Sequence, residues 1–97
     1  MNQMELLPLL WDGFLDATTL DQYFSDLATH AEIISVLEKN SPTEYVADIT
    51  LDLAVARENV MTGGARAVQI RYRFEEQEWC DTLMSQASGV KLIRMLQ

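Results

Sequence analysis

Within residues 66–74, apolar and polar side chains alternate from Val68 to Phe74. The apolar members are Val68, Ile70, Tyr72 and Phe74, and the polar side chains between them are Gln69, Arg71 and Arg73. A period of two residues is typical of a β-strand with one buried face and one solvated face. The run therefore predicts a half-buried strand that presents a row of cationic side chains to solvent.

The residues that follow also favour strands. A turn around Glu75-Glu76-Gln77 precedes a predicted strand over residues 78–84, and a loop over 85–89 precedes a third strand over 90–96. Short connections of this kind join neighbouring antiparallel strands. We therefore expect a three-stranded antiparallel meander at the C-terminal end of the chain.

The N-terminal residues favour helices instead. Residues 3–16 are rich in leucine and aromatic side chains and predict a short helix, which is either buried on several sides or contacts another chain. A second helix is expected to begin at a cap formed by Thr18 or Thr19 and to continue to Leu37. Its apolar residues recur every three or four positions.

Residues 45–62 fit two structures. The alternation in the first part resembles a strand, whereas the alanines and charged residues further on favour a helix. We favour an extended lead-in over 45–49 and a helix over 51–62 that ends at Gly63-Gly64. The expected fold class is α+β: about three N-terminal helices followed by the three-stranded meander, with the helices packed on one face of the sheet.

The register of the first hairpin decides which side chains share a face. A three-residue loop would pair Arg71 with Asp81 and Arg73 with Trp79 on the solvated face, and would leave Cys80 on the core side. A two-residue turn at Glu76-Gln77 would place Asp81 beside Tyr72 on the inner face. We favour the first register because it spares the aspartate a buried position and pairs opposite charges across the strands.

Length and charge limit the classes of function. The 97 residues are expected to form one domain, with a mainly helical half (1–64) and a meander half (65–97). The net charge is −8, of which residues 1–60 carry −9 and residues 61–97 carry +1. So acidic a surface repels phosphate backbones, which disfavours nucleic-acid binding.

The compartment expected for this chain is the cytoplasm. Cys80 is the one cysteine, so the chain cannot form an internal disulfide, which fits a reducing environment. The first residues lack the basic leader and small-residue cleavage site of a secretory signal. No apolar stretch is long enough to span a membrane, so no membrane contact is expected.

Catalytic motifs are not evident in the sequence. Cys80 lies within a predicted strand rather than beside an activating base, and His30 has too few neighbouring ligand types for a metal site. Gly63-Gly64 lacks the Gly-Lys-Ser/Thr ending of a phosphate-binding loop. We therefore expect no enzymatic activity, no cofactor and no bound metal.

The solvated face of the meander is the candidate binding surface. Its expected members are Gln69, Arg71, Arg73, Trp79 and Asp81, with Lys91 or Arg94 from the third strand as further candidates. Guanidinium groups beside an indole can hold a carboxylate, a phosphate or an acidic segment of a partner. Cross-strand ion pairs on a solvated face would explain the same residues without a ligand.

A second candidate contact surface is the N-terminal apolar segment, represented by Leu10, Trp11 and Phe14. The leading hypothesis is a small acidic accessory or protein-interaction domain without catalytic activity. It would contact a protein partner, or a second copy of itself as a homodimer, through the sheet face or this segment. The alternatives are a sensor that binds small anions or nucleotides on the cationic face, and a thiol-dependent enzyme centred on Cys80.

Overall fold

The structure, a computed structural model, describes residues 10–39 and 52–97, and for residues 10–12 and 39 it describes the backbone alone. The elements in chain order are β1 (Leu10–Leu15), α1 (Ala17–His30), β2 (Glu32–Lys39), α2 (Leu53–Thr62), β3 (Ala67–Phe74), β4 (Gln77–Gln86) and β5 (Gly89–Leu96). The expected lead-in over 45–49 lies outside the described residues.

All five strands belong to one antiparallel sheet with the order β1-β5-β4-β3-β2. The hairpins β3–β4 and β4–β5 fill the centre, and β1 and β2 form the two edges. α1 connects the two edge strands and contacts α2, which in turn contacts β2, β3 and β4. Both helices therefore lie on the same side of the sheet, which we call the inner face.

The core lies between the inner face and the two helices. The side chains that fill it are Val68, Ile70, Tyr72, Trp79, Leu83, Val90 and Leu92 from the sheet, Leu20, Phe24 and Leu27 from α1, and Ala56 and Val60 from α2. Burial of such apolar surface is the main favourable contribution to folding. The opposite side, the outer face, consists of the alternate positions of β3, β4 and β5 together with Phe14 of β1 and, from β2, Glu32, Ser35 and Leu37, which lie opposite outward residues of β3.

The expected fold class is wrong in its count of elements. The described residues form two helices and a five-stranded antiparallel sheet, rather than about three helices and a three-stranded meander. The meander itself is present as β3, β4 and β5, close to the expected bounds, and the helix expected over 51–62 is α2. The errors are the strands β1 and β2, which the sequence analysis assigned to helices.

Over residues 10–15, the strand β1 replaces part of the helix expected over residues 3–16, and the expectation for residues 3–9 lies outside the described residues. The strand contains Asp12 and Gly13, two residues that destabilise a helix interior. Leu15 is better explained by pairing with β5, because it lies opposite Val90 and is buried in the core.

The strand β2 begins where the expected second helix continues. α1 ends at His30, and the next residue has an extended backbone. The β-branched residues Ile33, Ile34 and Val36 favour a strand over a helix. The cap of α1 also differs, because the Asp16 carboxylate accepts a hydrogen bond from the Thr19 backbone at 2.8 Å, so neither Thr18 nor Thr19 is the cap.

The register of the β3–β4 hairpin differs from both expected alternatives. The turn consists of Glu75 and Glu76, whose φ angles are 51° and 66°, and Ile70 pairs with Asp81. Two consecutive residues with positive φ match a type I′ turn, which fits the twist of the flanking strands. Relative to the favoured register the pairing shifts by one residue. Such a shift moves every side chain of β4 to the other face of the sheet.

The turn predicts a stabilising substitution at Glu76, an exposed residue with a left-handed backbone. Glu76→Gly should raise the free energy of unfolding by about 1 kcal/mol, because a left-handed conformation costs a residue with a Cβ roughly that much. For a domain of this size the melting temperature should rise by about 4–8 °C, as measured by circular dichroism.

The matched control is Ala87→Gly in the β4–β5 turn, where the native residue has no positive φ. This substitution should leave the melting temperature unchanged or lower it, because at this position glycine increases the conformational entropy of the unfolded chain and relieves no strain in the folded one. An equal gain from both glycines would contradict the assigned turn type.

Candidate functional site

A buried carboxylate is the most unusual feature of the inner face. Asp81 of β4 is 0% exposed. Its Oδ1 accepts a hydrogen bond from Arg94 Nε at 2.9 Å, and its Oδ2 accepts from Arg94 Nη2 at 2.9 Å. The hydroxyls of Tyr23 and Tyr72 donate to the same Oδ2 at 2.8 and 3.0 Å. We call these four residues the Asp81 cluster.

Three secondary-structure elements besides β4 position the cluster. Arg94 lies directly opposite Asp81 on β5, Tyr72 comes from β3, and Tyr23 reaches down from α1. The Arg94 guanidinium also lies 5.9 Å from the centre of the Tyr72 ring, within the range of a cation–π contact. The cluster therefore connects α1 to the three central strands.

The electrostatics of the cluster keep its donors protonated. Burial, followed by the negative charge of Asp81, raises the pKa of Tyr23 and of Tyr72 well above the ordinary tyrosine value. For Arg94, burial by itself would lower the pKa, but the hydrogen bonds and charge of Asp81 outweigh it and raise the pKa. Four donated hydrogen bonds occupy the Asp81 carboxylate, so it has no open position facing a substrate.

Two predicted members of the binding surface do not lie on it. Trp79 and Asp81 point to the inner face, where the exposed fractions are 5% and 0%, and Arg94 is buried there as well. The register is the cause, because Trp79 pairs with Tyr72 and not with Arg73. The expected cation–π pair of Arg73 with Trp79 and the expected Arg71–Asp81 ion pair are therefore wrong.

The cationic row itself lies on the outer face, as predicted. Arg71 and Arg73 are exposed, and Gln69 and Lys91 are partly exposed. Arg71 Nη2 lies 2.6 Å from Glu78 Oε1, across the β3–β4 pair. This ion pair is about half exposed and is therefore expected to contribute little to stability, ~0–1 kcal/mol.

The other half of the outer face is mostly apolar, with Lys91 and Thr82 as polar members. Met95 is 48% exposed and Phe14 is 57% exposed, while Cys80, Met84 and Ile93 are partly exposed. These five residues lie on β1, β4 and β5, beside the cationic residues of β3. No helix of the described residues covers this face. We call the five residues the apolar patch.

The apolar patch includes one of the three N-terminal residues proposed for partner contact. Phe14 pairs with Lys91 of β5, on the outer face. The backbones of Leu10 and Trp11 pair with Met95 and Arg94, but their side chains are outside the described set. The two candidate surfaces of the sequence analysis therefore meet at Phe14.

Cys80 was expected on the core side and instead lies on the outer face, opposite Arg71. β4 is the third of five strands in the sheet order, so Cys80 is near the centre of that face. His30 is exposed at the end of α1. Within residues 10–39 and 52–97, no group of three or more His, Cys, Asp or Glu side chains is placed to hold a metal ion.

An open groove of about 620 Å³ runs between α1 and α2. Three of its polar side chains are engaged in hydrogen bonds: Arg57 Nε donates to Asp21 Oδ1 at 2.6 Å, and Gln22 donates to Asp26, outside the groove, at 2.8 Å. In the described part of the chain, every buried side-chain nitrogen and oxygen has a hydrogen-bond partner. The groove thus presents no buried polar group directed at a ligand.

Comparisons with known proteins give no assignment: no family model matches the sequence, and neither a curated protein nor a solved structure matches significantly. Neither α1 nor α2, the helices of the described ranges, is long and apolar enough to cross a membrane. Any function must therefore be argued from the two faces of the sheet.

Sequence reasoning missed the cluster because it rejected a buried aspartate. The sequence nevertheless contains a signal for a buried aspartate. Trp79, Asp81 and Leu83 share one face of any β-strand. If the two large apolar residues are buried, the aspartate between them is buried as well and needs hydrogen-bond donors. Tyr23 lies in the apolar stripe of α1 and Tyr72 in that of β3. A tyrosine hydroxyl in a core likewise needs a partner.

The Asp81 cluster predicts a large stability loss for Asp81→Asn. The substitution removes the charge that compensates Arg94 and should lower the free energy of unfolding by ~3–5 kcal/mol, the usual cost of breaking a buried ion pair. Urea unfolding followed by circular dichroism measures this loss. The same change in the half-exposed pair, Glu78→Gln, should cost less than about 1 kcal/mol. Similar losses for the two variants would show that the Asp81 cluster contributes no more to the free energy of unfolding than the exposed ion pair does.

Proposed function

We propose that this protein is a non-catalytic protein-interaction domain that binds through the outer face of its sheet. The expected occupant is a protein surface with an apolar centre that can also pair with arginines. The observation that carries the proposal is the apolar patch, in which Met95 of β5 and Phe14 of the edge strand β1 are about half exposed on a sheet face that neither helix of residues 10–39 and 52–97 covers. The lone cysteine supports a reducing compartment such as the cytoplasm.

The composition of the outer face supports protein contact. Interface centres are enriched in aromatic residues, methionine and arginine. Phe14, Met84, Met95, Arg71 and Arg73 supply these types on one surface. Adjacent apolar side chains on a sheet are also more typical of a docking surface than of a face meeting bare solvent.

The size of the outer face also supports protein contact. Five strands spaced ~4.8 Å apart and about eight residues long cover roughly 600 Å² in projection. A specific protein interface buries about 800 Å² on each partner, and the relief of side chains makes accessible area larger than projected area. The outer face is thus of the right size for a protein partner when all of it is used.

The distribution of charge favours the outer face over the helical side. The described outward side chains of β2, β3, β4 and β5 carry three cations and two acids, for a net charge of +1. Helices α1 and α2 with their capping residues carry five acids and one arginine, for a net charge of −4. A partner with acidic margins would meet attraction at the outer face and repulsion at the helices.

The test compares Met95→Glu with a matched control, Val55→Glu. The two residues are 48% and 47% exposed, and Val55 lies on α2 on the other side of the sheet. Both variants should remain folded by circular dichroism, because exposed substitutions rarely change the stability of the single chain by more than about 0.5 kcal/mol. Tagged wild-type protein and both variants would be purified from the native host, and the bound protein would be identified and quantified by mass spectrometry.

We expect one stoichiometric protein component, which is either another polypeptide or an untagged copy of this chain. Wild-type protein and Val55→Glu should retain it, and Met95→Glu should lose it by at least tenfold, or about 1.4 kcal/mol. Equal retention by Met95→Glu and Val55→Glu would refute the outer face as the binding surface. Wild-type protein without a stoichiometric component would refute the function.

A further inference from the structure

We infer that the protein seated on the outer face is a second copy of this chain, packed face to face about a two-fold axis that passes beside Cys80. The inference rests on the proposed function and names its partner. It starts from the shape of the surface. The outer face is a sheet, and a second sheet of the same right-handed twist packs on it in an aligned stack, the common way to cover an exposed sheet face.

Charge supports an identical partner. Each chain carries −8, so two copies can approach only where the surface is not acidic. The described outward side chains of β2, β3, β4 and β5 have a net charge of +1, whereas the helical side carries −4. Arg71, the cation nearest the centre, already lies 2.6 Å from Glu78, so its charge is compensated before the copies meet. The outer face is therefore the surface through which two copies repel each other least.

The area of the face fixes the position of the axis. Roughly 600 Å² in projection only just reaches the size of a specific interface, so the two faces must overlap almost completely. In a symmetric pair, full overlap requires the two-fold axis to pass through the centre of the face. β4 is the central strand, and Cys80 and Thr82 are the outward residues nearest its midpoint. The two copies of Cys80 therefore lie close to the axis.

The arrangement also accounts for the positions of four of the five large apolar residues that are exposed in the described part of the chain, while the fifth, Ile34, lies at the register shift of the edge strand β2. Phe14 and Met95 lie on the outer face and become buried in the pair, together with Met84 and Ile93. Val55 and Met61, on α2, are the exposed apolar residues of the opposite side and stay in contact with solvent. The pair thus has four layers, with helices outside and two sheets inside.

The experiment uses the purified full-length chain without any other protein. Light scattering after size exclusion should give a mass of about 22 kDa, twice the 11.0 kDa of one chain, for wild-type protein and for Val55→Glu. Met95→Glu should shift to the mass of one chain, with at least a tenfold increase in the dissociation constant. A short bismaleimide that spans ~10 Å, the spacing of stacked sheets, should link the wild-type pair through Cys80.

Two cysteine variants control the cross-link. Cys80→Ser should remain a pair and yield no cross-linked product. The double variant Cys80→Ser with Val55→Cys should also yield none, because its thiol lies on the far side of the sheet. A cross-link in the second variant but not in wild-type protein would overturn the face-to-face arrangement, and so would a pair that Met95→Glu leaves intact.

A failure of this inference can be separated from a failure of the proposed function. If the purified chain is a single copy at every concentration, the second copy is excluded as the occupant. In that case the co-purification from the host still tests the proposed function. A different polypeptide that is lost in Met95→Glu and retained in Val55→Glu would support a protein-interaction domain that binds through the outer face. If neither experiment gives a partner, both proposals fall.

Discussion

The inward position of Asp81 determines how the rest of the sheet is arranged. With Asp81 inside, the alternation of β4 places Trp79 and Leu83 in the core and Cys80, Thr82 and Met84 on the outer face. The same register orients β3 and β5 through their pairing with β4. A buried carboxylate is costly unless donors surround it, and here Arg94, Tyr23 and Tyr72 supply four hydrogen bonds.

The cluster also links the two halves of the chain. Tyr23 belongs to α1, whereas Asp81 belongs to the second hairpin strand, 58 residues further along. A hydrogen bond over such a separation forms only when α1 lies on the inner face. The inner face is therefore covered by the helices, and the outer face is the side that the two described helices leave exposed.

The sequence predicts the local pattern well where one period dominates. The alternation of residues 66–74 predicts β3 and the outward cations Arg71 and Arg73, and Gly63 ends α2 with a φ of 77° as its position suggests. Prediction fails where two tendencies compete. The helical spacing of the apolar residues in α1 continues by coincidence into β2. There the β-branched residues Ile33, Ile34 and Val36 favour a strand.

The hairpin register could not be derived from local sequence, because it depends on partners distant in the chain. Glu75 and Glu76 give no typical signal for a type I′ turn, yet both adopt positive φ. What favours this register is the set of donors that meets Asp81, one of which comes from α1. For the same reason the sequence placed Trp79 and Asp81 in the binding surface and overlooked Met95 and Ile93.

The oxidation of two methionines provides the most direct test of a covered outer face. Met95 lies on the outer face and is 48% exposed, while Met61 lies on α2 and is 39% exposed, so a single chain should oxidise both at similar rates. Peroxide treatment of wild-type protein over a range of concentrations, read by peptide mass spectrometry, compares them within one molecule. The account predicts that Met95 becomes protected as concentration rises while Met61 stays reactive. Equal oxidation of Met95 and Met61 at every concentration, with and without the native partner, would contradict the conclusion that the outer face becomes covered.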